Sequence, residues 1–186
     1  MTRREELADA AIATLARDGM RGLTHRAVDR EAGLPEGSTS YYFRTRQALL
    51  QAVVERATEV DAAEIPRRPA KSLDAFAEAT TGVVETWVTT GWQRQLARFE
   101  LALEATRRPE MREVLVVRRD IFRAMVTEQF DALGIPDSHR RAASFVDLLN
   151  GLLFTAIAGA GKGELAGPAL RAEIRSLLNA VTSAES

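Results

Sequence analysis

The stretch "LTHRAVDREAGLPEGSTSYYFRTRQALL", Leu23 to Leu50, decides how this chain is read. Thr24 carries the short oxygen-bearing side chain that caps a helix start, and the segment after it closes at Ala32-Gly33. Pro35 suits the first position of a new helix. The polar run Ser38 to Phe43, "STSYYF", then leads into Arg44 and Arg46. Two short helices joined at a glycine, the second dense in hydroxyls, predict a helix-turn-helix. In that motif the second helix enters the DNA major groove and the first braces across the backbone.

The residue types suit such a role. A helix N-terminus at Thr24 offers free N–H groups and partial positive charge to a phosphate. The hydroxyls of Ser38, Thr39, Ser40, Tyr41 and Tyr42 can bond phosphates or base edges, and Arg44 and Arg46 stand where the chain leaves a groove. Read from spacing alone, "STSYYF" is equally a capped loop whose tyrosines pack on a core.

Working outward, alanine, leucine, arginine and glutamate dominate the 186 residues with no sustained period-two alternation, so the fold class is all-α. A first helix is expected from Arg3 to Arg17, with Leu7, Ala11 and Leu15 on one face and Gly19 as its stop. Thr45 caps a fourth helix, and "EIPRRPAKS" (Glu64 to Ser72) is the best linker. Longer helices follow over about Ser72–Thr90, Trp92–Arg107, Pro109–Leu133, Asp137–Ala160 and Pro168–Thr182. The expected plan is a three-helix head, residues 1–48, and a larger helical body, residues 49–186, with about nine helices in all.

Composition narrows the chemistry. The chain has no cysteine, and its histidines are His25 and His139 alone, which removes disulfides, thiolate catalysis and histidine-rich metal sites. No metal or other cofactor and no catalytic residue is expected. Glu100 and Glu104 sit one turn apart beside several arginines, where ion pairing explains them better than paired-carboxylate catalysis. No apolar run approaches the roughly 20 residues needed to cross a membrane, and the N-terminus "MTRREELADA" has no apolar signal core, so a cytoplasmic protein without a membrane partner is expected. Residues 1–50 hold eight arginines against seven acids, so a DNA-facing surface would depend on placement and not on bulk charge.

The head resembles the TetR family of bacterial transcriptional regulators. The resemblance is carried by Thr24-His25-Arg26-Ala27-Val28, the Ala32-Gly33 turn, Gly37, Tyr42-Phe43 and Arg46-Gln47-Ala48-Leu49, and its motifs cover about residues 5–55. It implies phosphate contacts at Thr24 and Tyr42, groove-facing positions at Ser38, Thr39 and Tyr41, and flanking contacts at His25, Arg26, Arg44 and Arg46, with Gly37 and Ser40 in the same DNA-facing element. Three positions depart from the pattern. Asp29 stands where the family places a small residue between the two helices, Pro35 replaces a serine cap, and Ser40 replaces a tyrosine.

The resemblance further implies a small-molecule pocket in the body and a homodimer through the last two long helices. On Pro109–Leu133, Met111, Val114, Leu115, Phe122, Met125 and Leu133 form an apolar face that also contains Arg118 and Gln129. Either Arg118 pairs with Glu100 or Glu104 inside the bundle, or Arg118 and Gln129 orient a ligand among Trp87, Phe99, Leu103, Phe122, Met125 and Leu149. The dimer face is expected to draw on Leu148, Leu152, Phe154, Ala158, Leu170, Ile174, Leu177 and Leu178, because a helix apolar on most sides needs cover on both. The reading is a ligand-responsive regulator, a repressor, binding a palindromic double-stranded operator as a dimer and released by a small-molecule effector. The rival is a helical small-molecule-binding protein or scaffold that has lost sequence-specific DNA binding.

Overall fold

The computed structural model describes residues 1–107, 109–159 and 166–183, and among them are nine α-helices and no strand. In chain order these are α1 (Arg3–Gly22), α2 (His25–Glu31), α3 (Ser38–Tyr42), α4 (Arg46–Glu64), α5 (Leu73–Val88), α6 (Trp92–Ala105), α7 (Pro109–Ala132), α8 (Ser138–Ala158) and α9 (Gly167–Thr182). Four of them begin at the hydroxyl residues that the sequence offers. Thr2 and Glu5 form a reciprocal capping box on α1. The side chains of Thr24, Thr45 and Ser72 accept from the amides three residues on, at Ala27, Ala48 and Ala75.

Two local expectations change. Gly19 does interrupt α1, at φ 66°, but the chain makes another turn before it ends at Gly22. The freed carbonyls of Met20 and Leu23 accept from the guanidinium of Arg46. Pro35 does not open α3, because its place is a turn upstream of Gly37, the N-cap residue at φ 95°. A side chain at that φ would be strained, so glycine suits the position.

The chain forms two compact units. The first joins residues 1–61 to residues 91–118. Its core gathers Leu7, Ala11 and Leu15 of α1 with Val28 of α2, Phe43, and Leu49, Leu50 and Val53 of α4. Ala97, Leu101 and Ala105 of α6 complete it, α6 lying along α1. Helical spacing on α6 also offers a larger stripe, Trp92, Leu96, Phe99 and Leu103, but that is not the buried face, and Leu103 is exposed. Small side chains let two helix backbones approach closely, which outweighs the larger apolar stripe in choosing the face. A sequence division at residue 48 separates head from body, whereas packing keeps α4 as far as Asp61 and all of α6 with the head.

The second unit joins residues 62–90 to residues 119–186. Here α5, α8 and α9 pack on one another, around the rings of Phe76, Phe130 and Phe145, whose centroids lie 5.6 to 6.0 Å apart. Buried Arg141 of α8 donates to the carbonyls of Val181 and Ser183 and so closes the C-terminal end of α9. By length and composition α8 could cross a membrane, with a mean hydropathy of 1.3 over its best window. That corrects the expectation that no segment approaches such a length. The reason lies in its two apolar sides: Phe145, Val146, Leu153 and Ile157 are buried, while Leu148 and Phe154 are exposed.

Candidate functional site

The α2–turn–α3 segment is built around one carboxylate. Asp29 is buried beneath α3, where Oδ2 accepts from the Gly37 amide at 2.8 Å and Oδ1 accepts from the Thr39 amide at 2.7 Å and from the Thr39 hydroxyl. Gly37 has no side chain with which to cap the helix, and Pro35 cannot supply the usual hydroxyl, so Asp29 caps α3 from the neighbouring helix. Burial pushes this carboxyl up, but the bonds from the Thr39 hydroxyl, the Thr39 and Gly37 amides and the charge of His25 together hold it below the ordinary carboxylate value. The departure at Asp29 therefore reads as a cap, not as a carboxylate turned to solvent.

Thr39 corrects an expectation. It was placed facing the groove, yet it is fully buried with its hydroxyl committed to Asp29. Ser38 is half-buried and donates to the Pro35 carbonyl at 2.7 Å. What α3 presents outward is Ser40, Tyr41 and Tyr42, with Gly37 before and Arg44 after, and Tyr41 is 79% exposed against 39% for Tyr42. The two tyrosine rings meet edge to face at 5.1 Å. The exposed tyrosines also set aside the alternative of a loop with both rings packed on a core.

Around that surface, Thr24 is exposed at the start of α2, and Arg26 and Glu36 approach to 3.8 Å with both side chains about four-fifths exposed. His25 turns inward: its Nε2 lies 2.7 Å from the Phe43 carbonyl, to which it donates. Arg46 was expected to grip DNA at the groove exit, but its guanidinium is held by the carbonyls that end α1, so it braces the head from within. Arg4 is a neighbour the sequence reading missed. It stacks over Phe43 at 4.6 Å and reaches the Tyr42 carbonyl at 3.5 Å.

These features, a braced first helix and a short second helix with hydroxyls and an arginine outward, form a helix-turn-helix at residues that match a known model. Residues 7–53 match the family model for "Bacterial regulatory proteins, tetR family", and residues 71–184 match that for "Tetracyclin repressor-like, C-terminal domain". The chain belongs to the TetR family. This confirms the resemblance read from residues 24–49 and makes the chain a TetR-family transcriptional regulator with a helix-turn-helix head and a helical C-terminal body.

Solved structures agree. A member of TetR family from Streptomyces coelicolor A3 is 26% identical, with 99% of this chain and 100% of that one covered and a TM-score of 0.78. The multidrug binding protein EbrR complexed with imidazole is 26% identical, with 100% and 98% covered and a TM-score of 0.72. The same protein complexed with ethidium matches at 26% identity over 98% of this chain and 100% of that one, with a TM-score of 0.73. No curated protein matches the chain.

In the body of this TetR-family regulator, the residues expected to line a pocket divide between the units. Phe99, Leu103 and Arg118 belong to the first; Trp87, Phe122, Met125, Gln129 and Leu149 belong to the second. Within the second unit the Trp87 and Phe122 rings meet edge to face at 5.9 Å, and Trp87 Nε1 donates to Glu64 at 2.8 Å. The Gln129 side-chain carbonyl accepts from the Ala70 amide. Exposed Leu103 is not an interior wall, which corrects its place in the pocket set. The side chains of Met111 and Val114 lie outside the described residues.

In the first unit Arg118 has a partner that the sequence reading did not name. Its Nη2 donates to Asp61 at 2.7 Å, and that buried carboxylate, in the last turns of α4, also accepts from Arg94 at 3.0 Å and Gln95 at 2.8 Å. Arg98 donates to the Gln95 side-chain oxygen at 3.2 Å. Burial pushes both Arg98 and Arg118 down from the ordinary arginine value, and Asp61 acts against that shift in each. Glu100 and Glu104 were the partners read from sequence, and Asp61 lies too far along the chain, 57 residues from Arg118, for spacing to reveal it.

The expected dimer set also divides. Leu148, Phe154 and Ala158 are exposed and Leu152 and Leu177 are half-buried, but Leu170, Ile174 and Leu178 are buried within the second unit. These three are core, because α9 turns its single apolar stripe onto α5 and α8, and they are corrected out of the interface set.

Proposed function

We propose that this TetR-family regulator binds an approximately palindromic operator as a homodimer, represses there, and is released when a small molecule occupies the body. The single observation that carries the DNA half is the outward surface of α3: Ser40, Tyr41, Tyr42 and Arg44 exposed while Asp29 and His25 hold the helix from beneath. Exposed Thr24, Arg26 and Gly37 extend that surface. Two heads one helical repeat apart fit the geometry by which such dimers read two half-sites.

Dimerisation is supported by small exposed residues at helical spacing. On α8 these are Gly151, Thr155 and Ala158 beside Leu148; on α9 they are Ala169, Ala172, Ser176 and Ala180. Stripes of this kind allow helices of two copies to approach closely. Effector binding is supported by the likeness to EbrR, a multidrug binding protein solved with ethidium and with imidazole, and by the apolar Trp87–Phe122 ring pair in the second unit. A ligand releases DNA only if it favours the non-binding arrangement.

Selection of duplexes from a random library tests the DNA half, with the selected duplex then compared with a scrambled duplex of equal length. The expected outcome is a two-fold symmetric site and one dimer per duplex by mass. Failure to enrich any sequence would return the chain to the rival reading of a binding protein without sequence-specific DNA recognition. Compounds that raise the Tm in a small-molecule panel should then weaken the DNA complex on titration. The Arg44→Ala variant should weaken selected and scrambled duplexes alike and lower the salt slope by about 1.

A further inference from the structure

A helix as short as α3, residues Ser38–Tyr42, has no stability of its own, because nucleation costs more than so few backbone bonds return. Its N-cap is a glycine without a capping side chain. Yet both of its ends are held, and both holds come from α2. At the N-terminal end Asp29 accepts from Gly37 and Thr39. At the C-terminal end the His25 Nε2 donates to the carbonyl of Phe43, the C-cap residue. His25 and Asp29 are four residues apart, so they project from one face of α2.

We propose that Asp29 and His25 are positioning residues, a two-ended clamp that fixes the recognition helix before DNA is met. The inference rests on the DNA-binding reading above and specifies how this chain achieves it. The clamp sets the orientation of Ser40 and Tyr41, the groove-facing side chains, without either clamp residue having to touch a base. It also occupies the amides at the start of α3 and opposes the partial positive charge there with a carboxylate. Phosphate contact therefore falls to exposed side chains such as Arg26 and Arg44. Ordering α3 in advance lowers the cost of forming the specific complex. Non-specific attraction to the phosphate backbone does not depend on that order.

The sequence supplies its own reporter, because its two tyrosines, Tyr41 and Tyr42, both lie in α3. The experiment uses the full chain with isotope-labelled tyrosine rings, as wild type, Asp29→Asn, His25→Ala and Thr39→Val. It reads the tyrosine resonances, the helical circular dichroism, and Kd for a library-selected duplex and a scrambled one. Asp29→Asn and His25→Ala should each broaden or shift the tyrosine signals while helical content stays at the wild-type level. The ratio of selected to scrambled affinity should fall about tenfold or more, with scrambled binding little changed. Thr39→Val keeps both backbone bonds, so its ratio should lie between wild type and Asp29→Asn.

The clamp is overturned if Asp29→Asn and His25→Ala both leave the tyrosine signals and the affinity ratio as in wild type. It is equally overturned if the tyrosine signals change only together with loss of helix throughout the chain, which would mark a general stability role. If wild type itself enriches no duplex, the DNA-binding reading fails, and the tyrosine signals alone then decide the clamp.

Discussion

Asp29 and Asp61 are both buried carboxylates, and they are held in opposite ways. Asp29 is met by neutral donors, two amides and a hydroxyl, all within ten residues along the chain. Asp61 is met by the guanidiniums of Arg94 and Arg118 and by the Gln95 amide, between 33 and 57 residues away. One carboxylate organises a local turn and the other ties α4 to α6 and α7. A buried carboxylate bound by backbone donors sets the shape of a small segment, and its loss should be felt there. A buried ion pair between distant elements holds tertiary structure, and removing one partner leaves uncompensated charge inside.

The largest effect should therefore come from Asp61. Replacing it with asparagine removes the buried carboxylate that Arg94 and Arg118 share, and the loss of stability should be about 3–5 kcal/mol, read from denaturant midpoints. Asp61→Asn combined with Arg118→Met should recover part of that loss, because part of the excess buried positive charge goes with it. A loss as large in the double variant as in Asp61→Asn would show that Arg118 is not the partner that matters.

The contrast also explains what could be read from sequence. Helix starts at Thr24 and Thr45 were legible because capping is decided within three residues. The head was legible because its motif falls within the 28 residues from Leu23 to Leu50. The Asp29 cap was half legible: Asp29 and Pro35 stood out as departures, but only the turn geometry shows that the first compensates for the second. The Asp61 hub was not legible, since no spacing rule links residues 61, 94 and 118. The faces of α6 and α9 were misjudged for a related reason. Periodicity gives the stripe, whereas the partner decides which stripe is buried, and on α6 the alanines at 97 and 105 prevailed over Trp92 and Leu103.

The second prediction concerns acid. Because the folded Asp29 carboxyl lies below its ordinary value, its contribution is fully present above the unfolded value of about 3.9. It is lost as pH falls through the lower folded value. The tyrosine signals should thus hold steady from neutral pH to about 4 and change only below that. A change well above pH 4 that appears equally in wild type and in Asp29→Asn, with helical content intact, would mean that Asp29 is not the group holding α3. Next in size is Thr39→Val, which removes one hydroxyl bond and should cost about 1 kcal/mol, less than any change at Asp61.

The smallest effect on stability belongs to Glu36, whose pairing with Arg26 at 3.8 Å is almost entirely in water. Water screens such a pair and ordering two exposed side chains offsets its attraction, so Glu36→Gln should leave the Tm unchanged. Its effect should appear on DNA instead. Glu36 stands beside Gly37 at the entry to α3, and a carboxylate there repels phosphate wherever the helix docks. Glu36→Gln should tighten binding to selected and scrambled duplexes alike and steepen the salt dependence by about one ion at most. Tightening confined to the selected duplex would instead make Glu36 a reader of bases, and the buried and exposed acids of this head would then share one task.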